Sequence, residues 1–217
     1  FNEADDILGF NLSKIILNGP KEELDFTENT QPAIFLVSYS IFRVIKEEFN
    51  IDLNKAKYFA GHSLGEYSAL SCAGYLDFNE TIRLLRARGK AMQDSVPKGE
   101  GGMLAVLGSK IEDIEKILND NLNSFKAEIA NDNSNLKVVV SGLKKDINLL
   151  SDDLNNKKIK NLKLNVSAPF HCKYMKSASE KMASYINNLK MTELSHPIIS
   201  NVTAMETNSP KEIKSLL

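Results

Sequence analysis

Apolar residues recur at helical spacing early in the chain. Ile34, Val37, Ile41 and Ile45 fall on one helical face, which predicts a long amphipathic helix over 32–49. Polar residues 27–31 lead into it, with Pro32 in the first turn, where its missing N–H costs nothing. A shorter helical stretch at 13–17 is stopped by Asn18-Gly19-Pro20. Residues 57–60 read as a strand. A tight turn follows, then a segment rich in helix formers at 64–72 and a second helix over 79–94 introduced by Asp77. Helix, strand, tight turn and helix in that order predict an α/β layer with a parallel sheet, and such sheets bind ligands at the carboxyl ends of their strands.

The pattern changes after the Pro-Lys-Gly-Glu-Gly-Gly linker at 97–102. Strand-like segments at 103–107, 127–130, 137–140 and 159–166 alternate with helical ones at 111–122 and 144–155. This β-α-β-β-α-β order is the split βαβ of a ferredoxin-like module. It predicts a small domain at 98–166 spliced into a larger one made of 1–97 and 167–217. Ser167-Ala168-Pro169 returns the chain, and 174–189 is a further amphipathic helix.

Composition narrows the function classes. The 217 residues carry 27 Lys and Arg against 28 Asp and Glu, a net charge of −1, so no global field points to nucleic acid or membrane. Any acidic partner must meet a local patch. Apolar runs fall short of a membrane span and no targeting segment opens the chain, so a cytoplasmic protein is expected, or an organelle protein whose targeting segment is not shown. Cys72 and Cys172 lack metal-site spacing and read as free thiols. Cys172, beside His171, is a secondary candidate nucleophile.

Residues 58–70 carry the sharpest chemical signal. Gly61-His62-Ser63-Leu64-Gly65 sets a serine between two glycines where a strand gives way to a helix, the arrangement of a nucleophile elbow. The turn strains its central residue, lifts the hydroxyl clear of the sheet, and brings the Leu64 N–H to a helix N-terminus, where a developing oxyanion is stabilised. The serine needs a base, and the chain has three histidines. His62 abuts the serine on a sharp turn, so its ring points elsewhere. His196, before Pro197, reads as an incidental surface residue. His171, at a strand end behind Pro169-Phe170, is the preferred base. On the second helix Ile82, Leu85, Gly89 and Met92 share a face opposite Arg83, Arg86 and Lys90, while Arg88 sits at the apolar edge near Leu84 and Met92. A guanidinium there needs an anion; a substrate carboxylate and a local Asp or Glu fit equally well.

With these residues in place, the chain resembles the malonyl-CoA:acyl carrier protein transacylases of fatty acid synthesis and the related acyltransferase domains of polyketide synthases. The resemblance rests on Asn29-Thr30-Gln31-Pro32-Ala33, the GHSLGEYSAL run, Arg88 in RGKAMQ, the N-D-N-S of Asn131 to Ser134, and Pro169-Phe170-His171. It implies an α/β-hydrolase-like large domain with an inserted ferredoxin-like small domain. It also implies malonyl transfer through an ester on Ser63, with His171 as base and then acid. By the same likeness Arg88 pairs with the free malonyl carboxylate, Gln31 and Asn131 join the substrate-binding set, the Leu64 N–H serves the oxyanion, and Phe170 crowds out an α-methyl branch. No cofactor or metal is implied. The acceptor is the phosphopantetheine thiol of an acyl carrier protein, and the enzyme is expected to be a monomer. Lys157, Lys158, Lys160, Lys163, Lys173 and Lys176 read either as a basic patch for that acidic partner or as a solvated face of a lysine-rich chain.

The family opens with a strand and a Gly-Gln-Gly turn, and closes with strands beyond Asn201-Val202-Thr203-Ala204. This sequence starts after the one and stops before the other, so it is expected to be a fragment. Alternatives are a polyketide synthase-type acyltransferase domain, a serine hydrolase whose acid would be Asp146, Asp152 or Asp153 by chain order, and a module that only docks carrier proteins. The three aspartates read as solvated.

Overall fold

A computed structural model describes residues 1–49, 51–166, 168–192 and 196–217. Ser167, where the sequence reading returns the chain to the larger domain, lies outside the described residues. In chain order the elements are α1 (Asn2–Leu8), α2 (Leu12–Asn18), α3 (Lys21–Leu24), α4 (Thr27–Glu47), β1 (Phe59–Ala60), α5 (Leu64–Cys72) and α6 (Phe78–Gln93). They continue with β2 (Gly101–Leu107), α7 (Ile111–Asp120), β3 (Ala127–Ser134), β4 (Lys137–Leu143), α8 (Lys144–Asn156), β5 (Lys160–Lys163), α9 (Lys176–Asn188), β6 (Ile198–Ile199), β7 (Glu206–Thr207) and α10 (Pro210–Leu216). The chain divides into two compact units, Phe1–Lys90 with Lys181–Leu217, and Ala91–Glu180.

In the first unit α4 begins at Thr27, five residues earlier than expected, and Pro32 lies inside it. A proline there cannot donate to the carbonyl four residues back. The structure answers this with Arg86, whose Nη1 donates to the Glu28 carbonyl at 2.8 Å. The same guanidinium also bonds the Asn29 side chain, pairs with Glu28 at 3.5 Å and lies over the Phe10 ring. Arg86, expected on a solvated face, is therefore the cap that lets α4 run through its proline. The apolar stripe is a second correction. Ile34 and Ile41 are 47% and 55% exposed, whereas Gln31, Pro32, Ala33, Phe35 and Leu36 are buried. Apolar residues occupy both faces of α4, and the face that packs is the one whose Phe35 and Tyr39 rings meet Phe78 of α6 at 5.5 and 5.1 Å.

The two helices close tightly because α6 carries Gly89 at the crossing, where an added Cβ would lie 2.5 Å from the Thr27 carbonyl oxygen and 2.6 Å from the Glu28 Cα. Asp77 starts α6 as read, accepting from the Glu80 N–H at 2.7 Å. The sheet of this unit has the order β1-β6-β7. β1 and β6 are parallel, with Phe59 opposite Ile198 and Ala60 opposite Ile199, so the α/β class with a parallel pairing holds. His196 packs its ring edge-on to Phe59 at 5.9 Å, and its carbonyl accepts from the Tyr75 hydroxyl at 3.0 Å. It is a packing residue of the strand entry, not the incidental surface group expected.

The second unit is a four-stranded antiparallel sheet of order β3-β4-β2-β5, with element sequence β-α-β-β-α-β. Strand alternation divides its faces. Leu104, Val106, Val138 and Val140 pack with Ile114, Leu118, Ile147, Leu150 and Leu154 of α7 and α8. Met103, Ala105 and Val139 face the other way, against Leu164, Val166 and Phe170. Gly101 and Gly102, read as linker, belong to β2, and a Cβ on Gly101 would lie 2.1 Å from Pro169 Cδ. β3 and β4 run past the expected ends, with register shifts between Ile129 and Asn131 and between Asp132 and Ser134. Asp146, read as solvated, is 7% exposed in the first turn of α8, where the helix dipole favours a carboxylate. The unit reaches beyond 98–166, since Lys173 pairs with Glu128 and Ser177 bonds Ser95.

Candidate active site

Ser63 stands between β1 and α5 with φ 53° and ψ −111°. A non-glycine residue held there costs about 1–3 kcal/mol and persists only where its surroundings impose it. Gly61 is one imposition: a Cβ on it would lie 1.9 Å from the Gly65 carbonyl oxygen. Gly65 answers to no such demand, because a Cβ there meets nothing within 4 Å. Asn201 supplies the rest. Its Oδ1 accepts from the Ser63 N–H at 2.7 Å, its Nδ2 donates to the Gly61 carbonyl at 2.7 Å, and its own N–H donates to Glu66 Oε2 at 3.3 Å. Leu64 is the first residue of α5, so its N–H is one of the helix's orphan donors.

Arg88 reaches this turn from α6. Its Nη1 donates to Gln31 Oε1 at 2.7 Å, its Nη2 donates to Ser63 Oγ at 3.3 Å, and its guanidinium lies 5.5 Å from the centre of the Tyr67 ring. Gln31 is itself set by a 2.9 Å bond from Nε2 to Thr27 Oγ1. Because α4 starts at Thr27, Gln31 stands one turn along from that hydroxyl. Glu66, three residues after Ser63, is 5% exposed. Burial pushes its carboxyl above the ordinary range, opposed by the Asn201 N–H and the Arg88 charge. Burial also raises Tyr67, against the pull of the same guanidinium. A cation held by a neutral amide beside a strained hydroxyl can receive an anion and can stabilise negative charge growing on the oxygen.

Ser63, Leu64, Gln31 and Arg88 thus come together within the first unit. His171, Phe170 and Asn131 belong to the second. His171 has φ 57°, an uncommon conformation for a bulky residue, at the end of a bend in which Phe170 N–H donates to Ala168 O and Cys172 Sγ donates to Pro169 O. Glu128 of β3 pins the next turn, accepting from the Lys173 N–H at 2.9 Å and pairing with its Nζ at 3.0 Å. Phe170 packs on the Met103, Ala105 and Val139 face. Asn131 follows a register shift of β3 opposite Val139, where a bulge re-aims the side chains around it. His62 is exposed on the turn. Burial pushes the Cys72 thiol up to about 11 and raises that of Cys172, so neither is poised as a thiolate at neutral pH.

Two residues of the site carried no role in the sequence reading. Glu66 and Asn201 both lie in quoted motifs, but their function depends on β6 lying parallel to β1, which brings residue 201 beside residue 63 across 138 positions of chain.

The acyl transferase domain family matches residues 2–215. The malonyl CoA-acyl carrier protein transacylase of Haemophilus influenzae is 39% identical over 223 residues, covering all of this chain and 69% of that protein. The crystal structure of the acyl-carrier-protein-S-malonyltransferase from Bartonella henselae has a TM-score of 0.93 at 39% identity, covering 100% of this chain and 69% of that one. A malonyl-transacylase solved in complex with its holo type II polyketide acyl-carrier protein has a TM-score of 0.92 at 37% identity, with the same coverage. The chain spans about two thirds of the length of each.

Proposed function

We propose, from the premise that the chain belongs to the acyl transferase domain family, that it transfers the malonyl group of malonyl-CoA to the phosphopantetheine thiol of an acyl carrier protein, in fatty acid synthesis. The observation that carries the substrate choice is Arg88, 3.3 Å from Ser63 Oγ and held by Gln31. A malonyl ester on Ser63 has its free carboxylate one methylene beyond the reacting carbonyl, so a guanidinium close to Oγ is within its reach. Asn131 and Phe170 complete the substrate-binding set, Phe170 by excluding an α-branched acyl group. The split βαβ unit is read as the ferredoxin-like insert of the α/β-hydrolase-like family fold, between 1–97 and 167–217.

In this reading Ser63 Oγ attacks the thioester carbonyl while His171 takes its proton. The Leu64 N–H stabilises the oxyanion, and the proton passes from His171 to the departing CoA thiol. The carrier thiol then gives its proton to His171 and attacks the serine ester, and Ser63 recovers a proton as it leaves. The support for His171 is the Pro169-Phe170-His171 motif and the strained bend that presents it. Two half-reactions through one ester require no cofactor or metal.

Incubation with radiolabelled malonyl-CoA tests the proposal. Stable label that disappears in Ser63→Ala, and that moves to added holo carrier protein, is the expected result. Rapid release of free malonate identifies a hydrolase, and absence of label a docking module.

A further inference from the structure

We propose that Asn201 is a positioning residue for the nucleophile, acting through the backbone of the elbow and not through the substrate. This rests on Ser63 being that nucleophile. The parallel pairing of β1 with β6 ends at Ala60 opposite Ile199. Beyond it one chain turns sharply through Gly61 and Ser63 while the other delivers Asn201 beside them. The carboxamide then bonds both limbs of the turn, donating to the Gly61 carbonyl and accepting from the Ser63 N–H, each at 2.7 Å. The backbone N–H of Asn201 is anchored on the Glu66 carboxylate, in the first turn of α5. One residue therefore ties the strand end, the strained serine and the helix start.

The chemistry demands an amide. A carboxylate has no donor for the Gly61 carbonyl, and a hydroxyl is too short to span both limbs. Asn201 is exposed, so burial does not account for its three bonds. Its side-chain bonds fix the peptide planes on either side of residue 62, and the Ser63 carbonyl accepts from the Glu66 N–H at 3.1 Å, so the planes before and after Ser63 are both held. With them released, Ser63 can relax toward an ordinary conformation, swinging Oγ and the following Leu64 N–H together. Nucleophile and oxyanion donor would be misaligned at once, and displacements near 1 Å cost about 100-fold in rate. Arg88 and Gln31, on α6 and α4, would stay in place to bind the acyl carboxylate.

The loss should therefore fall on kcat and spare KM. In Asn201→Ala, kcat for malonyl loading should drop about 10- to 100-fold, with KM for malonyl-CoA within about threefold of the parent. A small fluorophosphonate, which needs Ser63 but no malonyl contacts, should label Ser63 more slowly by a similar factor. Asn201→Asp, nearly isosteric, keeps an acceptor for the Ser63 N–H and removes the donor to Gly61; it should show the same loss on kcat. Parent kcat in either variant, a loss confined to KM, or failure of both variants to fold would overturn the positioning role. Peptide mapping separates this from the underlying reading. Label on Ser63 of the parent with undiminished variants removes Asn201 alone, whereas label elsewhere in the parent removes the nucleophile and Asn201 with it.

Discussion

At the scale of single residues, the site turns on what Arg88 is bound to. The helical wheel left a substrate carboxylate and a structural ion pair equally open. The structure gives the guanidinium the amide oxygen of Gln31, the hydroxyl of Ser63 and the face of Tyr67. Its hydrogen-bond partners are neutral, and the carboxyl that feels its charge, Glu66, is itself pushed toward the neutral form by burial. A charge-assisted hydrogen bond contributes about 1.5–3 kcal/mol, so Arg88→Ala should lower the ratio of malonyl to acetyl loading on Ser63 by about 10- to 150-fold. Acetyl-CoA, with no carboxylate, serves as the internal control. A loss shared by both acyl groups reports the contact with Ser63 Oγ, and only the loss beyond it reports carboxylate binding. An unchanged ratio returns Arg88 to a structural role.

At the scale of elements, α6 and α4 show where periodicity works and where it misleads. Ile82, Leu85, Gly89 and Met92 do form the buried face of α6, because the other faces of that helix are polar and only one arrangement buries apolar area. On α4 apolar residues lie on two faces, so spacing alone could not choose between them, and of the stripe it picked out Ile34, Val37 and Ile41 are exposed. The choice falls to Phe35 and Tyr39, which have Phe78 to pack on. Gly89 gives this contact a test of sign. Glycine to alanine inside a helix ordinarily stabilises by about 1 kcal/mol. Here the new Cβ meets the α4 backbone at 2.5 Å, and main chain yields less readily than a side chain. Gly89→Ala should therefore lower the denaturation midpoint, and should weaken malonyl loading as Arg88 is pushed away from Gln31. A higher midpoint would show that the helices separate at little cost.

At the scale of the whole molecule, function requires a protein partner, and the charge pattern suggests how one is met. Of the six lysines read as a patch, Lys157 pairs with Asp153, Lys173 with Glu128 and Lys176 with Glu180. Lys158, Lys160 and Lys163 remain exposed around β5, an edge strand whose Leu162 is 61% exposed. Cations beside an apolar side chain suit an acidic carrier protein. Lys158→Glu with Lys160→Glu should slow transfer to the carrier while leaving loading from malonyl-CoA unchanged. The defect should shrink as salt rises, because screened charges steer less. Equal losses in both half-reactions would exclude this face.

What the sequence determined by itself is what depends on neighbours along the chain. The elbow at Ser63, the cap at Asp77, the strand-like apolar runs of β2 and β4 and the β-α-β-β-α-β order were legible because each is set within a few residues, by backbone sterics, capping or the length of an apolar run. The motifs around Gln31, Ser63, Arg88 and His171 were legible as a family likeness. Tertiary structure alone decided the rest. Which apolar face of α4 is buried depends on the partner available to it. That Arg86 caps a proline-broken turn depends on Gly89 letting two helices touch. That Asn201 fastens the elbow depends on a parallel pairing of β1 with β6 that brings together residues 138 positions apart. These are contacts between segments distant in sequence, and no local pattern encodes a distance that exists only once the chain has closed on itself.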